Sequence, residues 1–93
     1  MQSETTQIRS KQLSYLKMRV ELIAWRIEEI GGMTPSVRAA LPPQTVDIFG
    51  DLLYETGTPD ETRLKTFESA VQEAEEALAR DAGFWRSGYE TLH

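Results

Sequence analysis

Between Leu13 and Ile30 the apolar residues fall on two lines rather than one. Leu13, Leu16, Val20, Ile23, Ile27 and Ile30 follow steps of 3, 4, 3, 4 and 3 residues. At about 100° per residue this makes a helical seam roughly 100° wide. Tyr15, Met18, Leu22 and Trp25 follow steps of 3, 4 and 3 and lie nearly opposite. Narrow polar strips separate the two, one with Lys17, Glu21 and Glu28, the other with Arg19 and Arg26. A helix patterned this way has to be covered on both sides.

The same reading along the rest of the chain predicts helices only. From about residue 3 to Ile30 there is no glycine or proline, and Gly31-Gly32 then supplies the left-handed residue that commonly ends a helix. Thr34 and Pro35 suit the cap and first position of a short helix over 35–41, stopped by Pro42-Pro43. A third helix is predicted over 44–56, with Val46, Phe49 and Leu53 on one face, Ile48 and Leu52 beside them, and Gly57 closing it. Gly50 weakens it by roughly 1 kcal/mol relative to alanine. "TPDE" at 58–61 reads as a capping box with Thr58 as cap, Pro59 first and Glu61 third, opening a helix over 59–82 that Gly83 ends. No alternating strand pattern or hairpin signal occurs, so the expected class is all-α: one helical domain over 1–93, with an aromatic C-terminal tail over 84–93.

Leu64, Phe67, Val71, Ala74 and Leu78 step 3, 4, 3 and 4 along the last long helix, a seam that can meet the aliphatic seam of the first in an antiparallel pair. Each large side chain buried there contributes roughly 1.5–3 kcal/mol before entropy is counted. The Tyr-Met-Leu-Trp face is left for something else, and its composition is that of contact surfaces. The middle helix, the tail, a second copy of the chain or a different protein are all candidates to cover it. In the tail, Phe84 is placed for the hydrophobic contact that often follows a helix-ending glycine, and Trp85, Tyr89 and Leu92 either complete the core or act as recognition anchors.

Length and charge narrow these options. Ninety-three residues fit one domain with a thin core, for which a partner subunit is a common support. Net charge is −5, divided as six basic against four acidic residues over 1–38 and four against eleven over 39–93. That asymmetry favours the first helix lying against the last, and it argues against direct nucleic-acid binding, since no dense basic stripe is present. The longest apolar run is Leu22 to Trp25 and the first ten residues carry no signal-peptide core, so the expectation is a cytoplasmic protein without membrane contact.

Candidate chemistry is sparse. There is no cysteine, and His93 is the only histidine, which removes thiolate sites and leaves almost nothing for a histidine triad or zinc site. Glu68, Glu73, Glu75 and Glu76 lack the paired Glu-x-x-His motifs of di-metal bundles and read as a solvated acidic face. Such a face also suits a protein that mimics nucleic acid in a basic groove, as phage-encoded inhibitors do. Arg9, Lys11, Arg19 and Arg26 give the first helix an architectural resemblance to all-helical chorismate mutases. That resemblance implies arginines contributed to a site shared between subunits. The segment "PPQTVDIFGDLLYETG" departs from this, having no arginine or lysine for a dianionic substrate. No catalytic residue, metal or cofactor is therefore assigned. The expected function is non-catalytic binding of a protein partner by a small regulator, anti-activator, adaptor or chaperone that forms a homodimer. The contact residues are Tyr15, Met18, Leu22, Trp25, Trp85 and Tyr89.

Overall fold

In a computed structural model, residues 4–80 and Phe84 are described. Four helices follow one another: α1 over Glu4–Glu29, α2 over Pro35–Ala40, α3 over Pro43–Tyr54 and α4 over Glu61–Ala79. No strand occurs among the described residues.

Local chemistry accounts for each boundary. α1 ends in a Schellman motif: the Gly32 N–H donates to the Ile27 carbonyl (2.8 Å) and the Gly31 N–H to that of Glu28 (3.1 Å). Both glycines hold positive φ, 101° and 111°, where a Cβ would be strained. At α2 the Thr34 hydroxyl accepts from the Val37 N–H at 3.2 Å, with Pro35 at the first position. α3 starts at Pro43 with no side-chain cap and stops at Tyr54, short of Gly57. Its inward residues are Phe49 and Leu52 with Ile48 partly buried, whereas Val46 and Leu53, expected on the packed face, are exposed. The helix is rotated relative to the expected packing. Its far end is pinned by Lys17, whose Nζ donates to the Glu55 carbonyl at 2.6 Å.

α4 opens two positions later than expected. Asp60 is the cap, its Oδ1 accepting from the Arg63 N–H at 2.8 Å, and the helix begins at Glu61. An ionised aspartate is the better acceptor at the positive end of a helix, and it leaves Pro59 buried ahead of the cap rather than inside the first turn. At the other end α4 stops at Ala79, and the expected extension over 81–82 and Gly83 lies outside the described residues.

The core gathers Leu13, Leu16, Val20 and Ile23 from α1, Phe49 and Leu52 from α3, and Leu64, Phe67, Ala70, Val71, Ala74 and Leu78 from α4. Val37, Leu41 and Phe84 complete it, and Ile27 and Ile30 pack at its edge. α1, α3 and α4 all touch one another. Polar contacts give the direction of the long pair. Arg63 near the start of α4 bonds Glu55, whose carbonyl holds Lys17; Glu75 meets Arg19; Phe84 meets Arg26. Position along α4 rises with position along α1, so the two long helices run the same way, with α3 returning between them. This corrects the expected antiparallel pair. The cause is the third helix: with α3 long enough to form a full member of the bundle, the chain goes up, down and up. Upstream of Leu13, none of residues 6–12 is buried, so the first turns of α1 project past the core.

Candidate protein-binding surface

Trp25 is 59% exposed, Tyr15 57%, Leu22 50% and Met18 47%, all on the α1 face opposite the buried aliphatic seam. The middle segments of the chain do not cover them: α3 packs on the side of Lys17, and α4 on the side of Arg19. Ile8, 55% exposed, extends the stripe toward the N-terminus. Ile8 is not among the contact residues expected from the sequence, although it stands seven residues before Tyr15, one heptad upstream on the same line. Trp85 and Tyr89 lie outside the described residues.

One flank of the stripe is fixed by Arg19. Its Nε donates to Glu75 Oε2 at 3.0 Å and its Nη2 to Glu75 Oε1, a two-pronged contact that ties α1 to α4. The same guanidinium lies over the Tyr15 ring, 5.3 Å from its centroid. Hydrogen bonding by Glu75 raises the Arg19 pKa above its ordinary value against the opposing effect of burial, so the cation is permanent. Tyr15 is thereby held from behind while its outer face stays in water. A side chain ordered before contact loses less entropy on binding.

Arg26 sits lower in the same strip and is 4% exposed. Its Nε donates to the carbonyl of Phe84 and its Nη1 to Glu29. A buried guanidinium is tolerated only when satisfied in this way, and no buried side-chain nitrogen or oxygen among the described residues lacks a partner. The contact also anchors Phe84, itself 1% exposed, beneath the Trp25 end of α1. With Arg19 and Arg26 committed to structural partners, the shared anion site implied by the chorismate-mutase resemblance loses two of its four cations.

The acidic face of α4 is divided. Glu75 turns to Arg19, Glu76 accepts from Gln72 Nε2 at 3.2 Å, and Glu73 lines an open groove between α3 and α4 with Gln44, Ile48, Lys65 and Ser69. Among the described residues no group of three or more His, Cys, Asp or Glu could hold a metal ion. At the foot of the bundle Arg63 Nε donates to Glu55 Oε2 at 2.6 Å, which holds the Glu55 carboxyl below its ordinary pKa and raises that of Arg63. A second, smaller apolar area on α3 consists of Val46, Leu53 and Tyr54, the last 86% exposed. No described helix is long and apolar enough to cross a membrane. No protein-family model, curated protein or solved structure matches this chain.

Proposed function

We propose that this protein is a non-catalytic protein–protein interaction module, a small regulator, anti-activator, adaptor or chaperone that works through the outer face of α1 and assembles as a homodimer. The observation that carries the reading is the stripe of Tyr15, Met18, Leu22 and Trp25, each about half exposed, on a helix whose opposite face is fully engaged. Contiguous apolar surface of this kind, rimmed by charge, marks contact sites. Tyr, Trp and Met are the residue types enriched there, and single large aromatics carry much of the binding energy in such contacts.

Mimicry of a nucleic acid has less support, because Glu73, Glu75 and Glu76 point to three different surroundings instead of forming one solvated row. The deciding experiment compares Trp25→Asp with Tyr54→Asp as baits in extracts of the native host. The first should lose the captured protein with its helix content intact by circular dichroism, and the second should keep it. Equal capture by both variants would remove the α1 face from the function.

A further inference from the structure

The stripe on α1 is self-complementary, and we infer that its occupant is a second copy of this chain, packed antiparallel across a two-fold axis at the level of Val20. This deepens the protein-binding reading and rests on it. Val20 is buried at 3% and points directly away from the stripe, so the helix is symmetric about that residue. Met18 and Leu22 lie two residues either side of it, Tyr15 and Trp25 five, and Lys11 and Glu29 nine. Lys11 and Glu29 fall on the centre line of the stripe, at its two ends. Antiparallel pairing then sets Met18 beside the partner's Leu22, Tyr15 beside the partner's Trp25 and Lys11 beside the partner's Glu29, each pair occurring twice. The Met18, Leu22, Tyr15 and Trp25 layers are apolar on both sides, and the outer layer joins Lys11 to a Glu29 that its own Arg26 also holds.

A parallel arrangement fails on the same residues. It would stack Lys11 on Lys11 and Glu29 on Glu29 in the seam. Its one favourable flanking pair, Glu21 with the partner's Arg26, is closed off because Arg26 is 4% exposed and bound to Phe84 and Glu29. The antiparallel form has one cost, at the axis, where each Glu21 comes beside its copy. On the opposite flank Arg19 also meets its copy, but Glu75 compensates that charge within each chain.

The exposed fractions of Ile8, Tyr15, Met18, Leu22 and Trp25 amount to about 600 Å2 per chain, so complete mutual burial removes at most about 1,200 Å2, the low end of specific interfaces and the size of a reversible pair. Ile8, included in that sum, falls level with the end of the partner's α1, where Met33 is also exposed. A foreign chain would then reach this face only by displacing the second copy.

The chain has no cysteine, so Lys11→Cys and Glu28→Cys can be made separately without background thiols, and Glu28, exposed beside Glu29, leaves the Glu29 contact with Arg26 intact. Copies of one cysteine in an antiparallel dimer stand about 24–27 Å apart, sixteen to eighteen residues of helix rise, beyond a short bis-maleimide, whereas one of each kind face one another at nearly the same level. After the two variants are unfolded together and refolded, the reagent should link them as a one-to-one covalent dimer, while neither links alone. Linking of either variant by itself overturns the antiparallel arrangement. A two-chain mass by light scattering with no link in the mixture places the dimer contact elsewhere and also overturns it. A one-chain mass for the unmodified protein rejects self-pairing altogether, yet leaves the host-extract test of Trp25→Asp to decide the broader reading. As a second measurement, Glu21→Gln should tighten dimerisation by about two-fold at low salt by removing the like-charge contact. Weakened association in that variant counts against the axis at Val20.

Discussion

Leu22 and Ile23 are isomeric side chains on consecutive residues, and they offer a test of the two-faced helix with chemistry held constant. Ile23 is 2% exposed and Leu22 is 50% exposed. Truncation of either to alanine removes the same three carbons. At Ile23 the loss includes both the transfer free energy and a cavity in the core, about 2–5 kcal/mol. At Leu22 half of the side chain is already in water and no cavity forms. The lost burial is about 1 kcal/mol, reduced by the slightly better helix propensity of alanine. The predicted gap is at least about 1 kcal/mol, or roughly 4–8 °C in Tm for a domain this size. Urea unfolding followed by circular dichroism, repeated over a hundred-fold range of protein concentration, separates the effects. Ile23→Ala should lower the midpoint at every concentration and keep its concentration dependence. Leu22→Ala should change little at the dilute end and lose the dependence, because a dimer contact stabilises the fold only by mass action. Equal costs at infinite dilution would mean that the helix packs in a different rotation and that the stripe is core.

Three further outcomes probe the elements that present this helix. Gly50 lies inside α3 without positive φ, and a Cβ added there meets nothing within 4 Å, so Gly50→Ala should stabilise by about 0.5–1 kcal/mol in thermal unfolding. Asp60→Ala should cost about 1 kcal/mol by freeing the Arg63 N–H, while Thr58→Ala stays within about 0.5 kcal/mol; the reverse order would return the cap to Thr58. Because Arg63 holds the Glu55 carboxyl below its ordinary pKa, the pair's contribution is complete above the unfolded value and is lost as pH falls through the folded one. The difference in unfolding midpoint between the wild type and Glu55→Gln should therefore be constant near neutrality and close in acid, below about pH 4.

The helices and their glycine and proline boundaries were legible because each depends on a few adjacent residues: Gly31-Gly32 for the end of α1, Thr34-Pro35 for the start of α2. The buried seams of α1 and α4 were legible for a related reason, since periodicity within one helix states which residues share a face. What failed were relations between helices. Val46 and Leu53 are as apolar as Phe49 and Leu52, and only the tether of Lys17 to the Glu55 carbonyl and the packing against α4 decide which pair turns inward. The direction of α4 against α1 likewise follows from whether α3 counts as a full bundle member, which no local pattern expresses. Arg26 reads as a surface cation in a polar strip, and becomes a buried structural group only when Phe84, distant in sequence, supplies its carbonyl. The stripe itself was fully legible, and its freedom was not, because coverage by α3 was an equally good geometric solution.

That freedom also bears on how α1 can be a helix along its whole length. Residues 6–12 have no fully buried member, so these turns take little from the hydrophobic core of their own chain, and short helical segments in water are marginal without such packing. The residues that would support them lie on the stripe: Ile8, one heptad above Tyr15, and Lys11 on its centre line. Antiparallel pairing brings the Trp25 end of a second α1 alongside this projection, giving these lightly packed turns an apolar contact. Assembly and the folding of the α1 N-terminus would therefore be coupled. Amide exchange at residues 6–12 should slow as protein concentration rises, while exchange at the Val20 and Ile23 amides should respond much less, since the bundle core already protects them. An N-terminal exchange rate independent of concentration would break that coupling, and with it the explanation for why the stripe continues beyond the core.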